Sequence, residues 1–466
     1  MIISVEVADL IYKIFLYFCL ISFIIYFPRI AYYFEGFKKP VKLVNPKKNK
    51  LAVLVPARNE KGVVHLLDSL ASQTYDPKYF DTYVIVADKK DPTIELCKNY
   101  KNTICKLVES QTCKGDALDG AIQDILKSKK KYAGYIIVDA DNIVDKDFVL
   151  EFNNSLVSGR DIILGKRCIK NFLFGKKYRN WVVNCNGLIY TQLDKLGNAF
   201  RSKNWMHASV CGTGIMITAK VIDELGGWPF RFITEDFELA ISSLVAGRTF
   251  YYYEGAITYT EESMTHKTAN DRRRRWLLGY AQVSTKYRKD VLKKYREDKE
   301  LLNNSKNLSD EEYAKLRGNF WGCFDFLYSF IPLAVFFAPA AISCLIFLIS
   351  GFVSYKNIGA FDANVMNLIY KGINCAVVIY LVLQAYTLIP LLADRKTYKI
   401  SLLEKIWVLI INPFYMAEYV GFFFWAFYKL AKGTQDTTWV SIDRIDDENS
   451  KANKKAVRVA RRRTRK

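Results

Sequence analysis

The feature that most limits what this chain can become is where its apolar residues fall. They crowd into one run near the start, about Leu10 to Phe27 with only Lys13 interrupting it, and into three blocks after Phe320. The blocks are about Phe324–Val353, Leu368–Leu392 and Ile406–Leu430, with Pro332 and Pro339 in the first and Pro413 in the third. Runs of this length read as membrane helices, because about 20 apolar residues cross a hydrocarbon core. The prolines allow kinked or re-entrant pieces where protein surrounds them. Between the first run and the later blocks, Leu51 to about Asn270 has the pattern of a soluble α/β protein.

Charge then orients the chain. Glu6 and Asp9 precede the first run, while Lys38, Lys39, Lys42, Lys47, Lys48 and Lys50 follow it. No small-residue cleavage pattern follows, so residues 8–30 are expected to be a retained helix rather than a signal peptide. The lysine excess places everything after Phe27 in the cytoplasm. The formal net charge of +21 sits beside apolar spans and in Lys451–Lys466, which suits an anionic lipid bilayer. No motif that reads nucleic acid appears, so nucleic acid is not expected as a partner. One crossing before the soluble region and three after it would leave the basic tail on the far side, against the charge rule. One block is therefore expected to be broken or to lie at the interface. The resulting division is 8–30 helix, 50–270 catalytic domain, 271–320 charged helical region, 321–431 membrane helices and 432–466 basic tail.

Within the soluble region, Leu51–Val55, Tyr83–Val86 and Tyr135–Val138 are buried-strand candidates, each ending at polar residues. Amphipathic stretches such as Val63–Ser72 and Ala117–Ser128 separate them, which predicts an α/β fold with a parallel, doubly wound sheet. Ligands of such sheets bind beyond the carboxyl ends of the strands. There, Val138-Asp139-Ala140-Asp141 presents two carboxylates one residue apart, on one side of an extended chain. That is either a solvated turn or a pair of oxygen ligands for Mg²⁺ or Mn²⁺. Only three histidines exist and the ten cysteines form no CxxC pair, so a catalytic metal would need oxygen ligands. Thr234-Glu235-Asp236 follows a Gly/Pro-rich loop and precedes the helical run Phe237–Ala246. It is either a helix cap or the place of a general base. Arg272-Arg273-Arg274-Arg275-Trp276 is either a basic patch or a cation beside an indole that stacks on a sugar.

The order of these elements resembles the family 2 glycosyltransferases of the GT-A fold. The branch is the membrane-integrated one that includes cellulose, hyaluronan, chitin-oligosaccharide and poly-N-acetylglucosamine synthases. The resemblance covers about Leu51 to Trp276 and implies a Rossmann-like domain inserted between an N-terminal transmembrane helix and a C-terminal transmembrane region. Pro56-Ala57-Arg58-Asn59-Glu60 looks like the family's opening strand–loop motif under the nucleotide. Asp88 matches the residue that contacts uracil, and Lys114-Gly115-Asp116-Ala117-Leu118 the turn near the uridine diphosphate. Asp139 and Asp141 match the metal-binding pair, and Asp236 the catalytic base, with Glu235 beside it. Cys211-Gly212-Thr213-Gly214 is similar to the loop that the acceptor sugar approaches. Arg275 and Trp276 match the five-residue motif.

Two departures concern the product. Arg272 stands where chain-extending synthases usually carry glutamine, as it does in ceramide-type glucosyltransferases. Trp439–Arg444 only loosely resembles the gating segment of chain-extending members. The resemblance implies a UDP-sugar donor, Mg²⁺ or Mn²⁺, a polysaccharide or glycolipid acceptor, and a multi-pass plasma-membrane location with the catalytic domain cytoplasmic. N-acetylglucosamine is the sugar it favours. A non-enzymatic scaffold would be expected to lose the acidic residues that this chain retains, and a transporter would be expected to show repeat symmetry among its apolar blocks.

Overall fold

A computed structural model describes residues 5–26, 30–328, 338–395, 397–398 and 400–433. Pro28, Pro332, the segment Trp439–Arg444 and most of the basic tail lie outside the described residues. The chain opens with α1 (Val5–Tyr26) and α2 (Ile30–Gly36). It then alternates as β1 (Leu51–Pro56), α3 (Val63–Leu70), β2 (Phe80–Val86), α4 (Thr93–Cys97), β3 (Thr103–Leu107), α5 (Lys114–Lys127) and β4 (Gly134–Ile137). A second half follows with β5 (Ile143–Val144), α6 (Phe148–Ser155), β6 (Ile162–Ile169), α7 (Asn171–Phe174) and α8 (Trp181–Thr191). A π-helical stretch over Gln192–Asn198 and α9 (Ala199–Lys203) lead to β7 (Ile215–Thr218), α10 (Ala219–Leu225), α11 (Glu235–Val245) and β8 (Phe250–Thr260). Among the described residues, five long helices follow: α12 (His266–Asn303), α13 (Asp310–Tyr328), α14 (Ala338–Ile358), α15 (Ala363–Ala393) and α16 (Leu402–Ala431).

The strands form one sheet in the order β3-β2-β1-β4-β7-β6-β8-β5. The expected parallel arrangement holds for β3, β2, β1 and β4. It fails at β7, which runs opposite to both β4 and β6, and at β5, which opposes β8. The sheet is therefore mixed. The reason lies in the feeding loop: Cys211–Gly214 already sits at the carboxyl edge of β4, where the Gly214 amide bonds to the Ile137 carbonyl at 2.9 Å. A strand entered from that edge can only run back down the sheet.

Alternation along the strands divides the core between two faces. Leu54, Ile85 and Ile137 pack with Leu118, Ile122, Trp228 and Leu239 on one side. Val53, Val55, Val84 and Ile136 pack with Val63, Leu66 and Phe148 on the other. Each fully buried aliphatic side chain contributes about 1.5–3 kcal/mol of transfer free energy. Both faces being covered is why these strands read as unbroken apolar runs.

Pro339–Ile358, Ala363–Ala393 and Leu402–Ala431 are each long and apolar enough to cross a membrane, which marks the chain as membrane-associated. Helix α1 joins α14 and α15 through Ala8, Phe15, Ala340, Phe347, Leu368 and Cys375.

Candidate active site

The carboxyl edge of the parallel strands carries the polar groups that chemistry needs. Beyond β1 and β2 opens a pocket of about 450 Å³ lined by Arg58, Asn59, Asp88, Asp91 and Glu109 among others. Asn59 holds a left-handed backbone (φ 51°), which asparagine tolerates better than most residues. Its amide bonds to Asp91 Oδ2 at 2.8 Å, so the buried Asp91 ties the β1 loop to the β2 loop. Asp88 turns its own loop by accepting from the Lys90 amide at 2.8 Å. Pro56 ends β1, the Ala57 amide continues the ladder to Ile85 at 2.8 Å, and Glu60 accepts from the Gly62 amide at the entry to α3.

One strand further along, the first turn of α5 meets the end of β4. Lys114 Nζ lies 2.7 Å from Asp139 Oδ1, 3.4 Å from Glu235 Oε1 and 2.5 Å from the Gly212 carbonyl. Asp236 Oδ2 accepts from the Gly212 amide at 2.5 Å. Thr213 Oγ1 receives the Asp139 amide at 3.0 Å and Asn142 Nδ2 at 2.5 Å. Gly214 (φ +67°) leaves room for Thr258, whose Oγ1 would stand 2.5 Å from an added Cβ. Asp139, Glu235, Asp236 and the glycine-rich loop are thus gathered around one half-buried ammonium.

These charges govern one another. Burial alone would lower the Lys114 pKa, but Asp139 and Glu235 outweigh it and hold the lysine charged. Asp139 lies above the ordinary carboxylate range because burial and the neighbouring Asp141 and Asp236 charges together exceed the relief from Lys114. Glu235 is pushed up to about 7 by burial, against Lys114 and with Asp236. Arg275 is lowered by burial and by Arg272 beside it, while Glu235, Asp236 and Asp139 act in the opposite direction. The Trp276 ring centroid is 5.4 Å from the Arg272 guanidinium.

Asp139 and Asp141 supply only oxygen donors, which suits a hard divalent cation. Among the described residues no group of three or more histidines, cysteines and carboxylates surrounds them. A cation held there would complete its shell from a diphosphate or water. Asp141 is fixed through its backbone carbonyl, which accepts from the buried Lys170 at 3.1 Å.

Several residues beyond the sequence motifs build this edge. Glu262, two residues past β8, is buried and accepts from Arg272 Nη1 and Asn186 Nδ2, each at 3.0 Å, and from Tyr190. Glu261 and Glu262 repeat the pattern of Asp139 and Asp141, an apolar strand ending in acids, and that pattern could have found them. Arg231 joins α5 to the loop before α11, meeting Asp116 and Asp119 at 2.8 Å each. Arg273 is fully buried, turned away from the acid cluster, and bonds to Glu418 and to the Tyr415 carbonyl of α16. No local signal separates it from its three arginine neighbours.

Residues 135–389, more than half of the chain, match the model of glycosyl transferase family group 2. The chain belongs to that family. Among the chain's curated relatives is a probable glycosyltransferase of Bacillus subtilis (strain 168), YdaM, 26% identical over 51% of this chain and 57% of the relative. A probable glucomannan 4-beta-mannosyltransferase 3 of Oryza sativa subsp. japonica is 24% identical over 52% of this chain and 44% of its own length. The chain therefore spans about half the length of these relatives. A solved mannosyltransferase, PcManGT from Pyrobaculum calidifontis in complex with GDP-Man and Mn²⁺, is 15% identical with a TM-score of 0.49. The match covers 79% of this chain and 98% of that one.

Proposed function

We propose that this glycosyltransferase is a membrane-bound inverting enzyme that moves a sugar from a UDP-sugar onto a growing polysaccharide. The polymer would be exported across a plasma membrane beneath which the catalytic unit, residues 50–270, faces the cytoplasm. The observation that carries this reading is the gathering of Asp139, Glu235 and Asp236 around Lys114, one strand from an open pocket at Arg58 and Asp88.

In this reading Arg58 and Asp88 hold the nucleotide, on a loop shaped by Pro56, Ala57 and Glu60. Lys114 and Arg275 offset negative charge on the diphosphate. Asp141 with Asp139 would hold Mg²⁺ or Mn²⁺, which would supply further positive charge against it. Asp236 takes the proton of the acceptor hydroxyl. That oxygen bonds to the anomeric carbon from the face opposite the diphosphate, and the carbon–oxygen bond to the diphosphate breaks with its electron pair leaving on UDP. Gly212, Thr213 and Gly214 line the acceptor's approach, and Trp276 stacks against its terminal sugar.

Asp236→Asn tests the assignment: transfer falls at least a thousandfold while donor binding by calorimetry changes little. Near-normal turnover would remove Asp236 as the base. A donor screen of UDP-sugars and GDP-mannose then identifies the sugar, with UDP-N-acetylglucosamine expected. A second reading, single addition to a membrane lipid, is favoured by Arg272, whose guanidinium is held by Glu262. Sizing the labelled product separates polymer from single-sugar glycolipid.

A further inference from the structure

Strands β6 and β8 run parallel with Ile169 opposite Thr260, and β5 runs against β8 with Ile143 opposite Tyr259. Carried one or two residues past the strand ends, both registers bring Lys170, Glu261 and Asp141 to one level of the sheet edge. The Lys170 amide continues the ladder by donating to the Thr260 carbonyl at 2.8 Å. Lys170 Nζ lies 3.2 Å from Glu261 Oε2 and 3.1 Å from the Asp141 carbonyl oxygen. Both charged side chains are buried, Lys170 at 0% exposure and Glu261 at 1%. Successive side chains past β8 point opposite ways, so Glu261 turns to Lys170 while Glu262 turns to Arg272.

Stability does not account for the pair. Taking both charges out of water costs about what their attraction returns, and apolar residues of similar volume often hold a fold as well. Apolar neighbours are at hand: Ile143, Leu173, Phe174 and Tyr259 form a cluster at this edge, and the Phe174 ring centroid is 5.7 Å from Lys170 Nζ. What an apolar pair could not supply is a donor for the Asp141 carbonyl. That carbonyl belongs to the turn between β4 and β5, where the Asn142 amide bonds to the Asp139 carbonyl at 3.1 Å. Thr213 holds the start of the turn through the Asp139 amide, and Lys170 holds its tip. The two carboxylates are thus carried on a short turn fixed by two separate elements, the loop before β7 and the end of β6.

We infer that Lys170, itself held by Glu261, is a positioning residue for the cation site: it sets the turn so that Asp139 and Asp141 are preset for a hard divalent cation. This rests on the metal-binding part of the reading above. The effect of Lys170 passes through the Asp141 backbone and falls on affinity for the cation. Groups that orient metal ligands commonly change that affinity about 10–100-fold.

In the full chain in detergent micelles, Mn²⁺ uptake with UDP present is followed by the paramagnetic resonance signal of the free ion. UDP binding in EDTA is followed by calorimetry. Lys170→Met with Glu261→Leu removes both charges and the donor together. Thermal unfolding then stays near that of the unaltered protein, Mn²⁺ affinity falls about 10–100-fold, and metal-free UDP affinity is unchanged. Glu261→Gln leaves Lys170 an acceptor and its hold on Asp141, and Mn²⁺ affinity stays close to that of the unaltered protein. Full Mn²⁺ affinity in the double variant makes the pair structural and overturns the inference. An equal fall in Glu261→Gln also overturns it, by tracing the effect to charge rather than to the Lys170 N–H. A parallel loss of metal-free UDP binding does the same, since it marks general loosening of the site. Absence of Mn²⁺ uptake by the unaltered protein is a separate failure: it removes the metal from the proposed function, and this inference with it.

Discussion

At the scale of single residues, a cluster of three carboxylates in one protein cleft costs free energy unless cations compensate, and Lys114 pairs directly with two of them here. Glu235 is the member whose protonation falls near neutrality, at about 7, because burial disfavours its anion. The sign follows from that elevation. As pH falls through about 7 the carboxylate is lost and Lys114 loses one of its two carboxylate partners, so activity should rise with pH across the neutral range. Folding stability moves the other way, because a solvated glutamate ionises near 4.3. Between about 4.3 and 7 the folded chain holds the proton more tightly, and stability declines as pH rises. Glu235→Gln should flatten the neutral limb of the kcat/KM profile. An unchanged limb would assign it to another group. Asp139, Asp141 and Asp236 were each legible as acids at strand or loop ends. That Asp139 and Asp236 meet around Lys114 was not, since three separate segments supply them.

At the scale of elements, close approach explains why particular residues stand where they do. A Cβ on Gly115 would lie 2.0 Å from the Phe230 carbonyl, so the loop before α11 can rest on α5 only over a glycine. Gly115→Ala should cost about 1–3 kcal/mol by denaturant unfolding and reduce transfer at least tenfold, because the same loop leads into Asp236. Helix α12 carries Arg272, Arg275 and Trp276 and is pinned to α16 by Arg273, which bonds to the Tyr415 carbonyl and Glu418, while Arg274 adds a contact 5.1 Å from the Phe422 ring. Arg273→Ala leaves the Tyr415 carbonyl and Glu418 without this partner, and a loss of about 1–3 kcal/mol is expected in thermal unfolding. Arg274→Ala, whose side chain is exposed and meets α16 at the Phe422 ring, should cost less than Arg273→Ala in the same measurement. The helices α3, α5 and α11 were readable from apolar spacing. The antiparallel entry of β7 was not, because strand direction depends on where the preceding loop crosses the sheet edge.

At the scale of the whole molecule, the membrane bundle and the catalytic sheet are joined by polar contacts at several levels. Lys166 of β6 pairs with Asp394 just after α15 at 3.0 Å, and Arg201 of α9 with Asp325 of α13 at 2.8 Å. Within the bundle, Lys371 of α15 pairs with Asp9 of α1, and Asn374 bonds to Tyr12 one turn on. Ionisable groups among apolar helices are expensive alone and cohesive in pairs. Lys371→Leu should therefore lower the thermal stability of the detergent-solubilised protein, and adding Asp9→Leu should restore part of the loss. A double-mutant coupling near zero would show that the pair does not hold α1 in the bundle.

Composition and periodicity alone determined the α/β class, the apolar ends and the acids at strand termini, because burial and backbone hydrogen bonding act locally on each segment. What only the tertiary structure decided is which groups meet: Lys114 among its carboxylates, Glu262 beneath Arg272, and α16 lying on α8 and α12. Such contacts join residues far apart in the chain, and an apolar helix carries no local mark of whether lipid or protein covers each face.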